Sequence, residues 1–368
     1  MIYIPLKHLR PGMTLARDIA CGSSLFPLLV AGQKLSVSII AKFEKNNISG
    51  AYIESSLCGD VEIEEIVAPE LRQKTIVELK SFYRDYESHA PISPASLKSI
   101  SSTVDNLVEH ILSKSECLIN IIDVQDYDTY TYNHSLYVCI LSILIGIQRG
   151  FSRSILTELG MCGLLHDIGK TDIPLEIINK KSVLTPQEFE LMKTHPDKAV
   201  IRLSPCHQIS SSVLRGILSH HEKFNGTGYP QGLSGEKIPL YGRIVALADV
   251  YDALTSHRSY RKAWTSGDAI EYMMGCADTH FDFELLQSFL KIIAVYPLGT
   301  VVKLSNGFLA VVIQNSSQNI LRPKVRVLLP EEYTGTEIDL ADIGNTYLNV
   351  TISGVADDEM EIPEVLFV

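Results

Sequence analysis

The stretch RSILTELGMCGLLHDIGK, Arg153 to Lys170, carries the most information about the fold of this 368-residue chain. Its apolar residues recur at helical spacing, and His166 and Asp167 follow the last apolar pair directly. Gly169 then interrupts the helical pattern. Imidazole nitrogen and carboxylate oxygen together suit a divalent metal, and one carboxylate can bridge two ions. The pair therefore indicates a metal site at a helix end, although a lone His-Asp pair is most often a solvated helix terminus.

The composition is that of a packed globular protein, with 46% hydrophobic and 20% charged residues. A net charge of −11 disfavours binding to duplex nucleic acid, which requires a basic surface. The longest apolar stretch, Leu136 to Ile147, is shorter than the ~18 residues of a membrane span. The N-terminus lacks the order of a signal peptide, and the 7 cysteines form no CxxC motif. We therefore expect a soluble, cytoplasmic protein without a membrane span.

Hydrophobic spacing divides the chain into four predicted segments, and the fold class is mainly α. Residues 1–65 read as a small mixed α/β N-terminal unit, and residues 66–96 as a helical connector. Residues 97–294 carry a succession of amphipathic helices that predicts a helical domain. Residues 295–368 change to strand periodicity, with an Asn-Gly hairpin turn, and predict a small β-rich appendage. The connector is expected to pack as an ordinary helix, and a homodimer through it is the alternative.

A second informative stretch, RIVALADVYDALTS from Arg243 to Ser256, places an acid inside an apolar helix. A buried carboxylate costs several kcal/mol unless it is paired or bound to a metal. The alternative is that Asp249 caps a following helix, but the apolar residues before it are typical of a helix interior. We therefore predict a ligand role for Asp249, with Asp252 one turn further along the same face.

Six of the 11 histidines lie between His134 and His221. Taken singly, each is best explained as a surface or satisfied core histidine. As a set beside acids they indicate a metal site. The adjacent pair His220-His221 stands directly ahead of a turn with the sequence NGTGYP, which raises the question of why two imidazoles should be neighbours there.

These motifs together resemble the HD-GYP subfamily of the HD metal-dependent phosphohydrolases. The spaced pattern His134, His166-Asp167, Asp249 is joined by HDIGK, HHEKFNGTGYPQGLSG and DVYDALTSHRSYR in the family's order, over about residues 100–293. The resemblance implies an HD-type helical bundle. It also implies a bacterial phosphodiesterase that hydrolyses cyclic di-GMP to pGpG, GMP or both, by attack of a hydroxide that bridges two divalent metals.

The resemblance further implies a set of site residues. The first metal would be bound by His134, His166, Asp167 and Asp249. Asp167 would bridge to a second metal bound by His195, His220 and His221. Lys170 would act in catalysis and bind the scissile phosphate, and the substrate would also contact Tyr229, Arg258 and Arg261. Iron or manganese is the expected metal, and mixed nitrogen and oxygen ligation suits both.

Two departures from the family pattern keep alternatives open. Asn225 stands where the family usually has aspartate, which leaves room for a catalytically weak receptor of cyclic dinucleotides. Tyr130 stands four residues before His134, where some members carry a glutamate for a third metal. Tyrosine cannot replace that carboxylate, so two metals are expected. A second alternative is the same chemistry on another cyclic dinucleotide, such as cyclic GMP-AMP.

Overall fold

The structure is a computed structural model. It consists of two compact units, which are described separately. The described residues are 1–19, 28–46, 48–63, 65–114, 130–180, 182–256, 263–316, 318–344 and 346–355. One unit combines the described parts of residues 1–65 and 293–368. The other combines those of residues 66–117 and 130–292. The first contains the strands, and the second contains most of the helices.

The first unit holds a two-stranded and a five-stranded antiparallel sheet. Its elements are β1 (Ile2–Pro5), α1 (Val37–Lys45), β2 (Gly50–Ile53), β3 (Val301–Leu304), β4 (Leu309–Gln314), β5 (Lys324–Leu329), β6 (Glu337–Asp339) and β7 (Ile352–Val355). β1 pairs with β2, and the larger sheet has the order β6-β5-β4-β3-β7. The hairpin predicted at Asn306-Gly307 is confirmed, because β3 and β4 pair across that turn.

N-terminal and C-terminal segments share one hydrophobic core in this unit. Ile4, Leu15 and Phe43 are fully buried and belong to the same cluster as Val301 and Val311 of the larger sheet. Each such side chain stabilises the fold by about 1.5–3 kcal/mol. The structure thus groups residues that lie at opposite ends of the chain, which the spacing of apolar residues along the sequence did not indicate.

The second unit is a helical bundle. Its helices are α2 (Pro69–Glu87), α3 (Pro94–Leu112), α4 (Tyr130–Gln148), α5 (Arg153–Leu165), α6 (Leu175–Ile178), α7 (Pro186–Met192), α8 (His195–Leu203), α9 (Ser211–Ser219), α10 (Leu240–Thr255), α11 (Ser266–Gly275) and α12 (Phe283–Leu290). The predicted class, mainly α with a small C-terminal β-sheet, is confirmed. No described helix is both long and apolar enough to cross a lipid bilayer.

Helix α4 lies at the centre of the bundle and packs against α5 and α10. Residues 133–146 of this helix are all buried, and Leu141 and Ile143 among them have no exposed surface. The helix predicted as a connector, α2, packs against α3 and α4 and buries Phe82 and Tyr86. A homodimer through α2 remains a prediction.

Local sequence signals set the helix boundaries that matter for the site. Thr185 caps α7 in a capping box with Glu188, and Pro186 occupies the first helical position. α5 ends at Leu165, and a 3-10 turn over Ile168–Asp172 follows it. The helix pattern therefore stops where the sequence places His166 and Asp167, and the two polar residues lie at the junction.

Candidate metal centre

The first half of the site lies on α4, α5 and the turn after α5. His134 is in the N-terminal part of α4, and His166 directly follows the last residue of α5. Asp167 directly precedes the 3-10 turn. All three side chains are buried, with at most 5% of each residue exposed. Because α4 and α5 pack against each other, these residues meet although 32 positions separate His134 from His166.

The second half comes from three other helices. His195 is the first residue of α8, while His220 and His221 follow the last residue of α9. Asp249 lies in the interior of α10, where the sequence places an acid among apolar residues. The structure therefore brings all seven predicted metal ligands together from five helices and the residues next to them.

The ligand atoms form groups compact enough to hold a cation. Asp167, His195, His220 and His221 offer one atom each within 4.8 Å of one another. His134, His166 and Asp167 form a second group by the same measure, and His166, His220 and Asp249 form a third. The first two groups share Asp167. Its Oδ1 lies 3.3 Å from His195 Nε2, and its Oδ2 lies 3.3 Å from His166 Nε2.

Three of the imidazoles are oriented by the same local hydrogen bond. The Nδ1 atoms of His166, His195 and His220 lie 2.7, 2.8 and 2.6 Å from backbone carbonyl oxygens. In each case the carbonyl belongs to the residue three positions earlier. A carbonyl oxygen only accepts, so Nδ1 must donate the proton, and the neutral ring then carries a lone pair on Nε2. Three lone pairs therefore face Asp167 and one another.

His134 is oriented by a carboxylate instead. Its Nδ1 donates to Asp252 Oδ2 at 2.6 Å, and Asp252 is itself 5% exposed. The Ser256 hydroxyl donates to the other oxygen of Asp252 at 3.2 Å. His134 Nε2 consequently faces Asp249 Oδ1 at 3.2 Å and Asp167 Oδ2 at 3.6 Å. A carboxylate behind a ligating histidine fixes its tautomer and makes it a stronger ligand.

The pKa values of the cluster follow from burial and mutual charge. Burial, together with the neighbouring His195, lowers the pKa of His221 to about 3. Burial and the surrounding imidazoles also hold the pKa of His220 well below its ordinary value. Both rings are therefore neutral at pH 7 and have lone pairs available.

The pKa values of the two acids and of His134 shift in the directions that favour their charged forms. Burial opposes the charge on Asp167, but His166 and Lys170 outweigh it and hold its pKa well below the usual range. Asp249 behaves alike, because its hydrogen bond to His134 outweighs burial and lowers its pKa. Burial alone would lower the pKa of His134, yet Asp249 and Asp252 raise it to about 10. A proton on His134 Nε2 thus bridges to the Asp249 carboxylate. A metal cation bound there would replace this proton.

Unsatisfied buried atoms show that the cluster fits a cation. His166 Nε2 and Asp167 Oδ1 are buried and have no partner with hydrogen-bond geometry among the described residues. Leaving such atoms unpaired costs about 1–3 kcal/mol each, more when the group is charged. The Nε2 atoms of His166, His195 and His220 and the carboxylate oxygens cannot satisfy one another, because the Nδ1 protons are already bonded to backbone carbonyls and only lone pairs remain. A divalent cation satisfies both, and iron, manganese and zinc all accept this mixed donor set.

Gly169 allows the two halves of the site to approach each other. A Cβ atom at this position would lie 2.0 Å from the carbonyl oxygen of His195 and 2.8 Å from the amide nitrogen of Ala199. Only glycine lets the 3-10 turn pack directly against the start of α8. The glycine that the sequence presents as a helix breaker therefore also sets the distance between Asp167 and His195.

The predicted substrate-binding residues lie partly at this centre. Lys170 Nζ is 2.5 Å from Asp167 Oδ2, and 32% of its side chain is exposed. The Tyr229 ring lies over the His221 ring, with centroids 4.7 Å apart. Arg258 and Arg261 lie outside the described residues, and the side chain of Tyr130 is not described either.

Glu222, which the sequence gave no reason to single out, anchors the loop that carries Tyr229. Its buried carboxylate accepts hydrogen bonds from the backbone N–H groups of Gln231 at 2.7 Å and Leu233 at 3.1 Å. Gly228 packs against the backbone of Glu222, because a Cβ atom at position 228 would lie 2.4 Å from Glu222 Cα. Within the described part of the chain its hydrogen bonds go to backbone amides, and such an acid has no sequence signature beyond its position next to two histidines.

Asn225 shapes the same loop. Its side-chain oxygen accepts hydrogen bonds from the backbone N–H of Thr227 at 3.0 Å and from the Thr227 hydroxyl at 2.7 Å. This is the local turn that asparagine and aspartate both form. The described hydrogen bonds of the Asn225 side chain thus serve the turn, and they involve no ligand histidine.

Comparison with known proteins identifies the class. Residues 116–285 match the family described as HD domain, so the helical unit contains an HD domain. Bd1817, an HDG"Y"P protein from Bdellovibrio bacteriovorus, superposes with a TM-score of 0.53 at 17% identity, over 78% of this chain and 97% of that one. At this identity the likeness concerns the fold.

Two relatives that are named as cyclic dinucleotide phosphodiesterases are similar to parts of this chain. The cyclic di-GMP phosphodiesterase PA4108 of Pseudomonas aeruginosa is 38% identical over 247 residues, which are 67% of this chain and 59% of that protein. The 3′3′-cGAMP-specific phosphodiesterase 2 of Vibrio cholerae is 40% identical over 128 residues, 34% of this chain and 24% of that protein. The resemblance to HD-GYP proteins is thereby confirmed. The chain spans about half the length of the curated relatives it matches.

Proposed function

We propose that this protein is a metal-dependent phosphodiesterase that hydrolyses cyclic di-GMP to pGpG, GMP or both. The observation that carries the proposal is the set of three imidazoles whose Nδ1 protons are tied to backbone carbonyls, so that their Nε2 lone pairs converge on Asp167. A purely structural cluster would place donors opposite those lone pairs. The names of the relatives support cyclic di-GMP as the substrate.

Two cations are proposed, because two groups of ligand atoms share Asp167. The first would be held by His134, His166, Asp167 and Asp249, and the second by Asp167, His195, His220 and His221. When bound, such a pair lowers the pKa of water towards neutrality and stabilises charge on phosphoryl oxygens. Iron and manganese are proposed for the mixed nitrogen and oxygen ligands.

The side chains of the protein contribute positioning and charge. Lys170 is partly exposed and adjacent to Asp167, so its ammonium group can reach a phosphoryl oxygen and stabilise the negative charge that develops there. Asp252 acts as a positioning residue, because it fixes the His134 ring with Nε2 facing the cluster. Glu222 positions the loop that holds the Tyr229 ring against His221.

A catalytically weak receptor of cyclic dinucleotides is the alternative raised by Asn225. The described hydrogen bonds of Asn225 close its own turn, and aspartate would make the same bonds. The substitution therefore leaves the ligand cluster intact, which favours the enzyme over the receptor.

Cyclic GMP-AMP is the alternative substrate, and the relative from Vibrio cholerae that is specific for it supports this possibility. Both dinucleotides present the same phosphodiester to the cluster. The choice between them depends on contacts to the second base. Rates on the two substrates under identical conditions measure that choice directly.

The test is incubation of purified protein, loaded with Mn²⁺ or anaerobically with Fe²⁺, with cyclic di-GMP, followed by chromatography. We expect pGpG or GMP to appear with the loaded protein and not after removal of the metal by a chelator. Tight binding of cyclic di-GMP without either product would favour the receptor. Neither binding nor cleavage of any cyclic dinucleotide would contradict the proposal altogether.

A further inference from the structure

A row of aromatic rings leads from the candidate metal centre to the surface of the helical unit. The rings of His195 and His221 have centroids 5.0 Å apart, and those of His221 and Tyr229 are 4.7 Å apart. Tyr229 is followed by Phe189 of α7, at 6.5 Å with an edge-to-face angle of 81°. The outermost ring, Phe189, is 47% exposed.

Phe189 belongs to a helix that buries none of its residues. A single exposed phenylalanine is common on protein surfaces and by itself indicates nothing. Phe283 of α12, for example, is 46% exposed and takes part in no ring pair among the described residues. Phe189 differs because its ring continues a row that begins at a predicted metal ligand.

A lysine accompanies these two outer rings. Lys193 Nζ lies 5.4 Å from the centroid of the Phe189 ring and 6.0 Å from that of Tyr229. It also pairs with Glu190 at 2.6 Å, but 69% of the Glu190 side chain is exposed. Exposed ion pairs contribute little, so Lys193 can exchange this partner for an anion at little cost. The surface next to the cluster therefore combines an accessible aromatic ring with a positive charge.

We propose that Phe189, with Lys193 beside it, forms a base-stacking subsite for a purine ring of the substrate. The proposal rests on the proposed function and deepens it. A cyclic dinucleotide carries two bases around its phosphodiesters, so a phosphate near Asp167 leaves a base to be placed outside the cluster. An exposed aromatic ring offers that base a stacking partner, and a nearby lysine adds attraction to the anionic substrate.

A stacking surface does not distinguish one purine from another, because every base has a π-face. The subsite is therefore expected to raise the affinity for cyclic dinucleotides without discriminating between guanine and adenine. Removal of the Phe189 ring should weaken binding of cyclic di-GMP and of cyclic GMP-AMP alike.

The kinetic test compares Phe189→Ala with Phe283→Ala, a control of matched type and exposure. With Mn²⁺-loaded full-length protein, Phe189→Ala should raise KM for cyclic di-GMP about tenfold, from the worth of one base stack, with kcat and metal content changed less than ~2-fold. Phe189→Trp should restore KM. Phe283→Ala should leave KM as it is in the parent protein. Lys193→Gln should raise KM less and flatten its dependence on salt.

A spectroscopic test does not depend on turnover. A cyclic dinucleotide that carries fluorescent 2-aminopurine should be quenched on binding if its base stacks on an aromatic ring. We expect quenching with the parent protein and with Phe283→Ala, its loss with Phe189→Ala and its return with Phe189→Trp. Gel filtration of Phe189→Ala should give the parent elution volume, since the ring serves the ligand.

The outcomes separate this inference from the proposed function. Cleavage of cyclic di-GMP with the same KM and the same quenching in Phe189→Ala as in the parent protein would overturn the stacking subsite alone. A changed elution volume with unchanged KM would overturn it as well and assign the ring to contacts between protein chains. Absence of cleavage with Phe189-dependent quenching would remove the proposed hydrolysis and leave the subsite.

Discussion

Each unit contains a cluster of ionisable groups, and the two clusters differ in whether their hydrogen-bond donors and acceptors pair within the cluster. Arg326 of β5 donates to the Leu57 carbonyl and to both oxygens of Asp60, at 2.6 to 2.7 Å. Its guanidinium also donates to Glu337 at 2.6 Å. Donors and acceptors match, and the cluster is complete within the protein.

The centre of the helical unit contrasts with it. Its atoms are predominantly acceptors, and two of them, His166 Nε2 and Asp167 Oδ1, have no hydrogen-bond partner within the described parts of the chain. It is also far more deeply buried, since 64% of the Asp60 side chain is exposed and only 2% of the Asp167 side chain. Charge density alone therefore does not mark a functional site. We expect a group of neighbouring buried acceptors without donors to mark a cation site.

The largest expected effect is that of Asp167→Ala. Loss of the carboxylate shared by both ligand groups should abolish metal loading and reduce turnover by at least ~10³-fold, the effect of several kcal/mol of lost charge stabilisation. Metal analysis and chromatography of the products measure both. Added Mn²⁺ should raise the melting temperature of the parent protein and not that of the variant.

Asp60→Ala, in the self-satisfied cluster, is the control and should keep both metal and turnover. Full metal content in Asp167→Ala would show that the buried mismatch does not mark a cation site.

Lys170→Ala should retain metal and lose rate by about 10²-fold, since one preorganised cationic donor is removed from the developing phosphoryl charge. Lys180→Ala is matched to it, because Lys180 also pairs with an acid at 2.5 Å and has 26% of its side chain exposed. That variant should turn over like the parent protein. A loss of metal in Lys170→Ala would instead assign the lysine to the structure of the cluster.

Asp252→Ala should weaken metal affinity by about 10–100-fold, the usual cost of removing an acid that orients a ligating histidine. Asp252→Asn keeps an acceptor for His134 Nδ1. Its metal affinity should therefore lie between that of Asp252→Ala and that of the parent protein. Titration of the two variants and the parent protein with Mn²⁺ measures the three affinities. Equal affinities would show that packing of the His134 ring suffices without the hydrogen bond.

The smallest effect concerns the self-satisfied cluster. The hydrogen bond from Arg326 lowers the pKa of Asp60 to about 2. The stability that the charged Asp60 contributes is therefore present above about pH 4 and is lost as the pH falls towards 2. Asp60→Asn should therefore lower the stability of the protein by about 1 kcal/mol or less at pH 7, because the pair is exposed.

The difference in melting temperature between Asp60→Asn and the parent protein should narrow steadily between pH 4 and pH 2. A difference that stays constant over this range would mean that the ion pair contributes nothing to stability.

The sequence alone determined the class of the fold, and it predicts a metal site. Asp249 was marked by its position among apolar residues, and His166-Asp167 by the end of an apolar helix, because burial of a charge needs a partner wherever the helix lies. Helical periodicity likewise predicted the bundle, since one apolar face per helix has to be covered. The question of the adjacent histidines is answered in part by geometry, as His220 and His221 both face Asp167 in one group.

Only the tertiary structure decided which atoms face one another. The bond from His134 to Asp252 spans 118 positions, and the contact of Phe189 with Tyr229 joins a helix to a distant loop. The shared core of the N-terminal and C-terminal segments is of the same kind. Periodicity specifies which face of a helix is buried, but not which helix covers it or at what distance. Those depend on how side chains from remote segments fill one volume, as the close approach at Gly169 shows.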